Sequence, residues 1–238
     1  MGSKAWFSTT HWSVVLRAGS PDEAESRDAL AILCQAYWTP VFSYIRQRGH
    51  DPESARDLTQ GFFVSVLERG GIGQARQERG RFRSFLQTSV KNFLSDERDR
   101  QRALKRGGEQ PPISIDAETW ESVLAQEPAT DKTPEAIFEQ RWAMALIDRA
   151  TVELEADMER SGAGERFRRL RPFLVGDADP TYRQLGAELG MTEGNVRVAL
   201  HRMRQRFGVK LREQVAGTVD DPAKADEELR YLIQVVGE

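Results

Sequence analysis

Apolar residues recur along this chain at steps of three and four, the spacing of one face of a helix. Between residues 29 and 48 the pattern is Leu30, Leu33, Tyr37, Val41, Tyr44 and Ile45, interrupted only by Pro40, which is expected to kink or divide the helix. Gly49-His50-Asp51-Pro52 is a turn, with Asp51 placed to cap the next helix and Pro52 at its first position. That helix is expected over 53–69, with Leu58, Phe62, Val66 and Leu67 inward, and Gly70-Gly71-Ile72-Gly73 ends it. A strong helix follows over 81–104, with Phe82, Phe85, Leu86, Ser89 and Phe93 on its buried side. Pro134 opens a helix running to residue 158, with Phe138, Trp142, Leu146 and Ile147 inward; Ser161-Gly162-Ala163-Gly164 stops it. Shorter helices are expected over 165–174, 182–189 and 193–211, and a short one from Thr10, with Trp12, Val15 and Leu16 on one side, ended by Ser20-Pro21-Asp22. No stretch reads as a strand. The expected fold is all-α: a helical domain over 26–106 and a second over 134–216, joined by a flexible linker at 107–133, with an N-terminal extension at 1–25 and a tail at 217–238.

Length agrees with two small domains, since 238 residues at 39% hydrophobic content supply two modest cores. Charge changes the picture more. The net value of −3 hides strong segregation. Residues 79–106 hold nine Lys/Arg against three Asp/Glu, and 197–212 hold six Lys/Arg and no acid. The linker region 109–135 holds seven acids against one lysine, and 213–238 seven acids against two basic residues. Two basic blocks separated by an acidic spacer suit two polyanion-binding surfaces. The single cysteine, Cys34, has no intrachain disulfide partner and falls in an apolar helical pattern, as a small core residue would. No apolar run is long enough for a bilayer, and no basic flank precedes an apolar stretch at the N-terminus, so a cytoplasmic protein without a membrane partner is expected. The sequence offers no metal-ligand spacing, no Gly-rich phosphate loop and no nucleophile–base pair, so neither a cofactor nor an enzymatic activity is expected.

The strongest motif lies at residues 182–196, YRQLGAELGMTEGNV. A helix-turn-helix needs small residues where its two helices meet, which Gly186 and Ala187 provide. It needs a residue tolerant of positive φ at the turn, Gly190, and a cap for the second helix, Thr192. Val196, Leu200 and Met203 then point inward. The outward face carries Asn195, Arg197, Val198, His201, Arg202, Gln205 and Arg206, side chains suited to base edges and phosphates in a major groove.

The segment from Tyr182 to Phe207, YRQLGAELGMTEGNVRVALHRMRQRF, resembles the upstream (−35) element reader of the extracytoplasmic-function (ECF) sigma factors of bacterial RNA polymerase. ESARDLTQGFFVSVLER followed by GRFRSFLQTSVKNFLSDERDRQRA is similar to that family's polymerase-binding helix and its downstream (−10) element helix. The resemblance implies that Asp57, Leu58, Gln60 and Phe63 dock on the polymerase. It implies that Arg81, Phe85, Lys91, Asn92, Arg98 and Arg102 hold the opened −10 DNA, and that Asn195, Arg197, Val198, His201, Arg202 and Arg206 read the −35 duplex. It further implies that the loop 70–80 captures an extruded base and that the acidic linker runs in the polymerase's RNA channel. Core RNA polymerase and promoter DNA are the implied partners, with an anti-sigma factor or a Ser/Thr kinase as regulator.

The chain departs from the family pattern at Ala55-Arg56-Asp57, where an acidic cluster is usual. Phosphorylation of Thr59, a mode of regulation in some branches of the family, would restore about −1.5 to −2 charge there. The tail, with Leu229, Leu232, Ile233 and Val236 as an apolar stripe, is expected to pack on the second domain or to act as an autoinhibitory helix. The nearest alternative function is a helix-turn-helix regulator without sigma activity, whose N-terminal half is a sensing domain; a small helical enzyme is more distant.

Overall fold

The computed structural model describes residues 14, 17, 20, 22–68, 81–104, 131–174 and 182–237, and the elements among them are all helical. By contacts the chain divides into two compact units, 1–145 together with 217–238, and 146–216. No helix among the described residues is long and apolar enough to cross a membrane. The expected short helix from Thr10, the loop 70–80 and nearly all of the linker lie outside the described residues.

The first unit begins with α1, Glu23–Gln47. It starts six residues before the apolar pattern does, because a cap and not a stripe sets its beginning. The Asp22 carboxylate accepts from the amides of Ala24 (2.9 Å) and Glu25 (3.2 Å). Pro40 neither divides nor ends the helix. One missing N–H costs less than exposing the buried flanking residues Tyr37, Val41, Tyr44 and Ile45 would. Helix α2, Pro52–Glu68, opens as expected. Asp51 accepts from the amides of Glu53 and Ser54, both at 3.0 Å, and from the Ser54 hydroxyl at 2.6 Å. The Ser54 bonds hold the Asp51 carboxyl below its ordinary range. Helix α3 covers Phe82–Leu104.

The core of this unit is aromatic, and α4, Pro134–Arg160, contributes much of it. Trp142 stacks on Tyr37 at 4.5 Å between centroids and 8° between planes, and Phe82 lies 5.3 Å from Tyr37. Phe138 meets Tyr44 edge-on at 6.2 Å. This differs from the expected boundary before Pro134. The part of α4 up to Ala145 belongs to the first unit and the part from Leu146 to the second. Helical periodicity marked the element correctly but cannot say which neighbours an inward face meets. Cys34, half-buried on α1, has its thiol pKa pushed up to about 12 by desolvation, which leaves it unreactive at neutral pH.

The tail completes the same unit, not the second one. Thr218 and Val219 are buried, and the Thr218 carbonyl accepts the Phe82 amide (2.9 Å), a donor that the start of a helix leaves without an intrahelical acceptor. Helix α8, Ala225–Gly237, then lays Glu228, 1% exposed, against α3. Arg83 donates to Glu228 (2.6 Å) and to Glu139 on α4 (2.5 Å), and its guanidinium lies 4.4 Å from the centre of the Tyr231 ring. The Tyr231 hydroxyl closes the network on Glu139. Burial disfavours the charged form of Arg83, but the Glu228 hydrogen bond with the charges of Glu228, Glu139 and Tyr231 together outweigh it, so its pKa is raised and the guanidinium stays protonated.

The second unit packs the remainder of α4 with α5, Gly164–Leu170, a 3₁₀ turn at Arg171–Phe173, α6, Tyr182–Leu189, and α7, Glu193–Ala216. Its core runs through Leu154, Phe167, Leu170, Leu185, Val196 and Leu200.

Candidate nucleic-acid interface

Helices α6 and α7 are joined by three residues, Gly190, Met191 and Thr192. Gly190 has φ +63°, a conformation costing an L-residue about 1–2 kcal/mol. The Met191 amide then reaches back to the Gly186 carbonyl (2.8 Å), closing the end of α6. Thr192 Oγ1 accepts from the Asn195 amide (3.2 Å) and so caps α7. Gly186 is buried where the turn folds over it, and a Cβ there would lie 2.6 Å from the Met191 carbonyl oxygen. Gly186→Val is therefore expected to open this corner and cost about 1–3 kcal/mol. Amide exchange at Met191 checks it: protection there falls first, and an unchanged rate would refute the reading.

The periodicity of α7 sorts its side chains as the sequence implied. Val196, Leu200, Met203 and Phe207 are buried, while Asn195, Arg197, Val198, His201, Arg202, Gln205 and Arg206 are exposed. The two halves of the helix differ in charge compensation. Towards its C-terminal end Lys210 lies 3.3 Å from Asp157 and 3.9 Å from Glu153, and Gln214 donates to Glu153 (2.6 Å). Towards its N-terminal end Arg202 has no carboxylate partner among the described residues. Arg197 is partly engaged, ion-paired with Glu193 (2.7 Å) and lying 4.7 Å from the Tyr182 ring centre. Asn195, Val198, Arg202 and Arg206 border a cavity of about 280 Å³ floored by Met158, Leu170 and Met191. Its further border, Arg166 on α5, carried no sequence signal, since it belongs to a different helix from the motif.

On α3, Lys91, Asn92, Arg98 and Arg102 are exposed, and Phe85 is half-buried with its ring 5.9 Å from that of Phe82. Lys91 and Arg98 have no carboxylate partner among the described residues, whereas Arg102 lies 3.8 Å from Asp99. Arg81 departs from expectation. Its guanidinium is held by Glu228 at 2.8 Å and Glu227 at 3.0 Å, so the tail occupies the charge assigned to DNA. Composition could not reveal this, because those partners lie about 146 positions downstream.

On α2, Asp57 is exposed and Leu58 and Gln60 are half-buried, but Phe63 is not on offer to a partner. It is 2% exposed, in contact with Phe62 at 5.2 Å and stacked on Trp38 at 6.2 Å. Thr59 is also corrected as an accessible phosphorylation site. Its side chain is fully buried and its hydroxyl donates to the Ala55 carbonyl (2.7 Å), so the folded chain does not present it to a kinase. A phosphate there would place a dianion in the core, at a large desolvation cost.

Among the described residues no three His, Cys, Asp or Glu side chains converge as a metal site. Comparison with models of known protein families, with characterised proteins and with solved structures yields no match to this chain.

Proposed function

We propose that this chain is a transcription initiation factor of the ECF sigma type. In this reading it binds core RNA polymerase through the exposed side of α2 around Asp57. It holds single-stranded −10 DNA on α3 and reads the −35 duplex through a helix-turn-helix formed by α6 and α7. The observation that carries the reading is the α7 face: Asn195, Val198, His201 and Arg202 exposed together, on a helix entered by a three-residue turn, with Arg202 unpaired by any carboxylate among the described residues and so suited to base edges or phosphates.

The chemistry of the other surface is compatible. Opened DNA needs cations for its backbone and aromatic faces for its bases. Lys91 and Arg98 are exposed on α3 with no carboxylate partner among the described residues, and Phe85 is half-exposed earlier on the same helix. Arg81 and Phe63 drop out of the proposed contacts, since an ion-pair network holds the first and the core encloses the second. Phosphorylation of Thr59 would require local opening of α2 before a kinase could reach the hydroxyl.

Co-sedimentation with purified core RNA polymerase, followed by transcription from the promoter of the chain's own operon, tests the reading. A one-to-one complex and defined transcripts are expected. Binding to duplex DNA without any association with polymerase would overturn the sigma assignment and favour a regulator that acts alone.

A further inference from the structure

Several arginines of the second unit are engaged by acids or by a backbone carbonyl. On α5, Arg168 is paired with Glu159 and Glu165, and Arg169 with Glu165 (3.2 Å) and Glu188 (3.4 Å). Arg204 donates to the Phe173 carbonyl at 3.1 and 2.7 Å. Arg166, two residues before Arg168 on the same short helix, has no carboxylate partner among the described residues. Nor have Arg202 and Arg206, although Arg206 lies 3.5 Å from the Met158 sulfur. These three are the arginines that border the α5–α7 cavity, and no acid lines it. Three guanidinium groups thus border one cleft with no carboxylate paired to them among the described residues.

We infer that Arg166 is a DNA-contacting residue: with Arg206 it binds a backbone phosphate beside the bases read by Asn195, Val198 and Arg202. This deepens the proposed function and rests on it. A phosphodiester fits the site better than a free carboxylate does. Like a carboxylate it brings one negative charge, but its tetrahedral oxygens can meet two guanidinium forks from different directions, and it is followed by an apolar sugar edge that matches the Met158, Leu170 and Met191 floor. Phosphate contacts fix the orientation of a reading helix without carrying sequence information. Arg166 therefore sets the docking angle of α7, and Arg202 keeps the task of discrimination.

The test is fluorescence anisotropy of the full chain on a 24-base-pair mixed-sequence duplex across a salt series. Each lost phosphate contact lowers the salt slope by about 0.9, so a fourfold rise in salt should penalise Arg166→Ala about 3.5-fold less than the parent. Arg166→Lys should keep the slope, and thermal unfolding of both variants should match the parent, because Arg166 is exposed. An unchanged slope in Arg166→Ala, with normal duplex binding, would overturn this inference and leave the proposed function standing. Absence of duplex binding by the parent at any salt would remove both. A poly-glutamate peptide is the second probe. If Arg166→Ala abolished its binding and left duplex binding intact, the cleft would belong to an acidic protein segment.

Discussion

Glu228→Ala should destabilise the first unit by about 3–5 kcal/mol, the usual consequence of leaving one member of a buried pair without its partner. Arg83 is 6% exposed, and its guanidinium loses the Glu228 acceptor while keeping Glu139 and the Tyr231 ring. Chemical denaturation of the full chain checks the magnitude. Exchange at the Phe82 amide, whose acceptor is the Thr218 carbonyl, checks the location. Two companions sharpen the result. Glu227→Ala removes only an exposed contact to Arg81, with Glu227 67% exposed, and should shift stability by under about 0.5 kcal/mol. The double variant Arg83→Met with Glu228→Leu should recover most of the loss, because apolar packing often replaces a buried pair at no net cost. A loss below about 1 kcal/mol in Glu228→Ala would mean that the tail does not seat on α3 in solution.

Trp142→Ala should cost about 3–5 kcal/mol, and the loss should fall in the first unit. The indole stacks on Tyr37 and touches Phe82 and Phe138, with centroids 5.8 and 6.0 Å away. Hydrogen exchange should therefore rise along α1, at Tyr37 and Val41, before it rises in α5 or α7. Exchange rising first in α7 would return the start of α4 to the second unit and move the boundary back toward Pro134. Trp142→Phe should be far milder. Among the described residues the buried indole N–H has no acceptor, so removing it relieves an unsatisfied donor while most of the ring contact stays.

Neither prediction is visible in the chain read linearly, and the reason is the same for both. Asp51 before Pro52 and Thr192 before Glu193 announce helix starts locally, because a cap bonds amides two or three residues away. Gly186 and Gly190 announce the α6–α7 corner for the same reason, as their constraints lie within five residues. The buried and exposed faces of α7 also follow from its sequence alone. A 3.6-residue period leaves no freedom once Val196, Leu200 and Met203 are inward.

Pairings across long separations have no such local signature. Arg81 and Arg83 sit in a basic block that looks like a surface for polyanions, yet acids in the tail neutralise both. Phe63 and Thr59 sit in a segment that resembles a docking helix, yet the α2 turn carrying them faces Trp38 and the core. Periodicity and local cap and turn residues determined an all-helical chain, its caps, its corner and the exposed face of α7. Only tertiary packing decided which unit claims α4 and the tail, and which arginines border the α5–α7 cleft. Burial and ion pairing depend on what lies across space, which a one-dimensional pattern does not encode.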